Sequence, residues 1–262
     1  MVLSSFMRWL YGSNEPQPQP QPTPEPAAPI DPAELDVIRT RLRRRAIRME
    51  IGGFRPPEGP AGSWFGRVNM ALPGEGWPMT DGRPLHALAQ IDLTQLPFRP
   101  PRLDDLEMIA LFITEEALEE DAPNGTGWCL RAYPDLSALV PLEQVQTGSE
   151  IEPFPMRAQV VEEDYPKVED VEDLDLPEEI AERYYELFET AEGFKLGGWP
   201  FLAQHVVEWG PPMAHPARPE FVFQIDSTDK GNWYWGDNGL GYFGRGTRPG
   251  RTDEWVMSWQ GY

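Results

Sequence analysis

Two short polar signatures carry the residue types from which a reactive or binding site is most readily built. Gln90-Ile91-Asp92 and Gln224-Ile225-Asp226 each put an amide two residues before a carboxylate at the end of an apolar run. Asp237 adds a third carboxylate eleven residues after Asp226. Brought together in a cleft, Asp92, Asp226 and Asp237 would supply acid/base groups, and Gln90 and Gln224 would orient a ligand. Buried amides also satisfy backbone groups at strand ends, which is their ordinary occupation. Asp226 to Asp237 has the outline of a calcium loop, but Lys230 stands at its fifth position, where a ligand oxygen is required, and Asp237 is shorter than the usual bidentate Glu. His86, His205 and His215 are widely separated, Cys129 is alone, and no nucleophile elbow, phosphate loop or His-Glu-x-x-His pattern occurs. No catalytic residue, metal ligand or cofactor is therefore assigned, and Gln90, Asp92, Gln224, Asp226 and Asp237 stand as a candidate polar site.

A second kind of chemistry is electrostatic. The chain has 262 residues and a formal charge of −21, with 43 acidic and 22 basic side chains. Residues 101–192 hold 26 of the acids and only 5 of the bases, so this stretch carries the whole imbalance. Its densest part contains Glu162, Glu163, Asp164, Glu169, Asp170, Glu172, Asp173, Asp175, Glu178 and Glu179. Such a stretch is either a solvated face or a surface that steers a basic protein partner, and steering raises association rates by roughly 10- to 1000-fold. General binding to nucleic acid is disfavoured, because a polyanion is repelled rather than held through its phosphates. One cysteine forms no internal disulfide, which fits a reducing compartment and a cytoplasmic location.

The elements that must position these residues follow from pattern. Residues 1–30 join an apolar tip, Met1 to Tyr11, to a Pro/Gln-rich spacer at 16–26, semi-rigid and about 34 Å long in polyproline II geometry. The tip lacks the marks of a signal peptide and offers at most a weak peripheral membrane contact. Asp31-Pro32-Ala33-Glu34 opens a helix. Leu35, Ile38, Leu42, Ala46 and Met49 give it an apolar stripe, six arginines fill its other faces, and Gly52-Gly53 ends it. This predicts an Arg-rich amphipathic helix over 31–53 that folds back on the acidic stretch. A second helix is predicted from Pro177 to Glu192. Short strands are expected at Leu85–Ile91, Met108–Ile113, Gly127–Tyr133, Glu220–Ile225, Gly241–Gly244 and Trp255–Trp259.

The two Gln-Ile-Asp signatures belong to longer, related stretches. Phe65-Gly66 precedes Gln90 by 24 residues from the glycine, and Gly197-Gly198 precedes Gln224 by 27 from Gly197; each interval contains a Trp-Pro, at Trp77-Pro78 and Trp199-Pro200. The expected fold is α+β and mainly antiparallel β, with two pseudo-symmetric repeat halves, about 62–135 and 193–262, forming one domain over 54–262. An acidic connector at 136–192 and a few peripheral helices complete it. The ordered set Ser63-Trp64-Phe65-Gly66, Trp77-Pro78, Gln90-Ile91-Asp92, Gly197-Gly198-Trp199-Pro200, Gln224-Ile225-Asp226 and Trp235-Gly236-Asp237-Asn238-Gly239 resembles the YwqG-like family over residues 50–262. That family is a bacterial domain family without an established biochemical function, so the resemblance implies a fold and no activity.

The expectation drawn from these residues is a non-catalytic, acidic protein-binding module, with an immunity or antitoxin protein neutralising a basic toxin as its specific form. The alternatives are a carboxylate enzyme with its cleft between the halves, and a module binding a glycan or cation on its tryptophans. Oligomeric state is left open.

Overall fold

Asp31 caps the first helix by accepting the Ala33 amide at 2.9 Å, and Pro32 fills the first turn, where its missing N–H costs nothing. The helix, α1 (Pro32–Leu42), is shorter than the apolar stripe predicts, and Arg44–Ile51 is a strand, β1. The physical reason is a change of period. From Ala46 onward the buried Ile47 and Met49 alternate with exposed Arg48 and half-buried Glu50, a two-residue repeat that seats one face in the core. The computed structural model describes residues 29–56, 58–114, 122–171, 174–209 and 215–261. The apolar tip and the Pro/Gln-rich spacer lie outside the described residues, as do Glu172 and Asp173.

After β1 come β2 (Trp64–Phe65), β3 (Met70–Ala71), β4 (Met79–Thr80), β5 (Arg83–Pro84), β6 (His86–Asp92), β7 (Met108–Ile113), β8 (Trp128–Tyr133) and β9 (Val140–Pro141). The long β10 (Phe154–Asp164) follows, then two single-turn helices, α2 (Glu178–Ala181) and α3 (Tyr184–Leu187). The chain closes with β11 (Lys195–Gly197), β12 (Glu220–Asp226), β13 (Leu240–Arg245) and β14 (Trp255–Gln260). The single helix expected from Pro177 to Glu192 is thus split. Arg183 leaves the helical region with φ −112° and ψ 19°, and Phe188 is extended.

Ten strands form one antiparallel sheet in the order β14-β13-β12-β11-β1-β10-β2-β6-β7-β8. The sheet curls into a nearly closed, barrel-like form. Its two ends approach one another, with the Trp128 ring of β8 lying 6.0 Å from Phe243 of β13. The enclosed face holds a single core that includes Ile47, Leu88, Ile91, Leu111, Phe223 and Ile225, each at most 1% exposed. Burial of one such side chain is worth about 1.5–3 kcal/mol. Outside the sheet, Met108, Ala110 and Phe112 pack under the β3 and β9 region, and Leu240 and Tyr242 pack under Phe201. A further cluster of Leu42, Tyr165, Val171, Ile180, Tyr184 and Phe188 seats α1, α2 and α3 as a helical cap. Among the described residues no helix is long and apolar enough to cross a membrane.

Candidate functional site

The acidic stretch divides into two environments. Where β1 pairs with β10, arginines and acids meet: Arg45 bonds Glu162 at 2.9 Å and Arg43 bonds Glu163 at 3.4 Å, all four side chains being at least half exposed. Such exposed pairs are worth about 0–1 kcal/mol. Asp164, expected on a partner-facing surface, is instead fully buried and ion-paired with the equally buried Lys195 at 3.0 Å. Its carboxylate also accepts the Ala191 and Trp199 amides, each at 2.7 Å. An acid at the end of a long strand turns inward here because three donors repay its desolvation. A side chain on Gly198 would collide with this carboxylate, which accounts for the Gly-Gly pair (Gly198 φ +71°).

The cap presents the rest. Asp175, Glu178, Glu182, Glu186, Glu189 and Glu192 are exposed, while Glu169 and Glu179 are half-buried. Arg183 pairs with Glu186, at 2.9 Å. Tyr185 stands among these acids with 61% of its surface exposed, its hydroxyl 3.3 Å from both oxygens of Glu169. Asp170 lies nearby, one carboxylate oxygen buried and, among the described residues, without a hydrogen-bond partner. Burial pushes it up to about 6 against the pull of Arg44.

The five residues of the candidate polar site do not converge on one place. Gln90 accepts the Asn69 and Met70 amides at 2.8 and 3.1 Å and donates to the Pro60 and Gly62 carbonyls. Gln224 accepts the Phe201 amide at 2.8 Å and donates to Gly193 O at 3.1 Å. Both are fully buried and clamp the segments that cross the sheet. Asp92 caps a 3₁₀ turn through the Thr94 amide and hydroxyl and the Gln95 side chain. Asp237 is exposed, in a turn closed by Gly239 N to Trp235 O at 2.8 Å. That turn belongs to a thirteen-residue connection between β12 and β13, longer than the tight hairpin its Asn-Gly suggests.

Asp226 alone borders a cleft, of about 480 Å³, with Arg48, Glu50, Gln159, Thr228 and Lys230. Burial raises its carboxyl to about 6; the amides of Ser227 and Gly193 oppose this and Glu192 adds to it. Lys230 donates to Ile51 O at 2.7 Å, so the loop with a calcium-like outline is built around an ammonium. Among the described residues no group of three or more His, Cys, Asp or Glu is placed to hold a metal ion. Of the tryptophans, Trp128, Trp233, Trp235 and Trp255 are buried in the core. Arg44 covers Trp199, its guanidinium carbon 3.3 Å from the ring centroid.

The Gly-Gly cradle, the two clamping glutamines and the strands they join all lie within residues 63–244, and this segment matches the family described as a domain of unknown function, DUF1963. The chain belongs to that family. No curated protein matches it. The DUF1963 segment runs from β2 into β13, so it takes in the acidic cap and leaves α1, β1 and β14 outside. Two features of the structure escape sequence reasoning. Lys195 carries a weak signal, a lone cation inside the apolar Phe194-Lys195-Leu196 beside the glycines. The pairing of Arg48 with Gln159 carries none, because neither β1 nor β10 reads as a strand in advance.

Proposed function

We propose that this protein is a non-catalytic binding module whose acidic helical cap captures a basic surface of a protein partner. The observation that carries this reading is the cap between Asp175 and Glu192, where six acids and Tyr185 are exposed and Arg183 is the one cation in that span, with Lys167 ahead of it 5.7 Å from the Tyr185 ring. A one-signed surface steers a cationic partner to the cap, and an amphipathic aromatic at its centre supplies contact area at low entropic cost. The acids of β10 contribute less, because Arg43 and Arg45 already neutralise Glu162 and Glu163. In its specific form the module is an immunity or antitoxin protein for a cationic toxin, for which rapid charge-guided capture is the physical requirement. The carboxylate-enzyme alternative needs acids facing one another, whereas Asp92 is committed to a cap and Asp226 to a different cleft.

Within DUF1963 we place the chain in the YwqG-like group, on the ordered motifs from Ser63 to Gly239, and read the sheet flanks as diverged copies of one unit. Matched features support the second point. Gly66 and Gly197 have φ of +66° and +68°. The register slips by one residue between Ala87 and Ala89 in β6 and between Phe221 and Phe223 in β12. β8 and β14 both begin on a buried Trp.

The binding reading is tested by association kinetics with a recovered partner. Steering by the cap predicts an on-rate that falls steeply with salt and a dissociation rate that changes little. An on-rate indifferent to ionic strength would remove the cap from the mechanism.

A further inference from the structure

The three-residue β11 is shorter than the strands on either side of it. Its pairing with β1 ends at Arg48↔Lys195 and its pairing with β12 at Lys195↔Gln224. Beyond this register Met49 N still bonds Phe194 O at 2.8 Å, and the cleft of about 480 Å³ that Asp226 borders opens beside Gly193 and Phe194. That volume suits a small ligand. Lys230 reaches into it from the β12–β13 connection, its ammonium anchored on Ile51 O at 2.7 Å.

Arg48 lines the same cleft and is exposed, and its cross-strand neighbour on β10 is Gln159. Among the described residues it has no ion pair, in contrast to Arg43, Arg45 and Arg157, which are all matched with glutamates. Glu50, the nearest acid on β1, is taken by Arg157 at 2.5 Å and Gln159 at 2.8 Å. Glu50 and Asp226 line the cleft too, but among the described residues neither is ion-paired with Arg48, so its guanidinium is open to an oxyanion from a ligand. Its fork presents two parallel donors that match an oxyanion, and the lysine adds a second positive charge.

We propose that this cleft binds a small molecule through an oxyanion, carboxylate or phosphate, held by Arg48 and Lys230 and gated by the charge of Asp226. The site adjoins the acidic cap only through Glu192, and its ligand and its test are independent of partner binding. Glu192, ahead of β11, acts on Asp226, and the charged groups that line the cleft with it are Arg48 and Glu50 on β1 and Lys230 on its own connection. Ionised, it repels the anion; protonated, it donates a hydrogen bond to it. Binding therefore strengthens as pH falls through about 6.

Isothermal titration of the full chain with succinate and, separately, with inorganic phosphate tests this at constant ionic strength. Expected is one-to-one binding of at least one anion, about fivefold tighter at about pH 5.5 than at about pH 7.5. Arg48→Gln and Lys230→Gln each weaken it about tenfold. Asp226→Asn shrinks the pH difference to what the anion's own titration and the general fall in net charge leave, so the contrast between the two chains isolates this carboxyl. The anion that binds identifies the ligand as a carboxylate or a phosphate. Silence from both anions overturns the proposal, as does binding unchanged in Arg48→Gln. Arg48 is exposed and has no ion pair among the described residues, so its variant keeps the fold and decides the case even if Lys230→Gln loosens the connection.

Discussion

Lys195 Nζ lies 3.0 Å from Asp164 Oδ2, with both side chains fully withdrawn from solvent. The pair joins β10 to β11, and the lysine also donates to Ala191 O at 2.7 Å. Burial lowers the lysine's affinity for its proton and Asp164 opposes this, so the charge survives only with its partner. Removing one partner strands the other. Lys195→Met is expected to cost about 3–5 kcal/mol in urea unfolding, and the double variant Asp164→Leu/Lys195→Met less than either single change.

Gly198 is required by the same carboxylate. Its φ of +71° already disfavours any side chain, and a Cβ would strike Asp164 and come within 2.8 Å of the Ala46 Cβ. Gly198→Ala should lower stability by about 2–4 kcal/mol, read as a drop in urea midpoint with unchanged slope. Gly74, with a φ of +86° but open space around it, should tolerate alanine at a cost of about 1 kcal/mol.

The glutamines are structural clamps, and the size of the clamp orders the losses. Gln90→Leu orphans four backbone groups and Gln224→Leu two. At about 1–3 kcal/mol for each buried orphan, Gln90→Leu is the more damaging, and calorimetry of the two variants checks the order.

Asp170 gives the cap a pH dependence. Its carboxyl is pushed up to about 6, above the ordinary 3.8, so the folded state holds a proton that the unfolded chain has released. Stability from this group is present at low pH and is lost as pH rises from about 4 through about 6. Asp170→Asn should therefore raise the melting temperature at about pH 7.5 and change it little at about pH 4. An equal gain at both pH values would contradict this origin.

These residues also mark how far the sequence can be read. Met108–Ile113 is a strand with the bounds its apolar run predicts, and the other five expected strands lie within two residues of theirs. Apolar runs between Gly and Pro leave few options. The central pair β1 and β10 was not legible, for two reasons. Arg44-Arg45 and Glu162-Glu163-Asp164 bury their chemistry signal under charge, and the helical stripe from Leu35 to Leu42 extends by chance into Ala46 and Met49. What separates helix from strand there is pairing with residues more than a hundred positions away. The candidate site was legible as an acidic region and illegible in detail. Whether an acid faces solvent, as Glu178 does, or a buried lysine, as Asp164 does, is decided by tertiary contacts.

The central claim is that the cap holds a basic protein. Co-purification from the native host tests it most directly, with the native chain run beside a variant carrying Lys at 175, 178, 182 and 189. The account predicts a stoichiometric basic protein with the native chain and its loss from the charge-reversed variant, with folding of that variant confirmed by circular dichroism. Equal recovery of that protein by both chains, or no stoichiometric partner with the native chain, would contradict it.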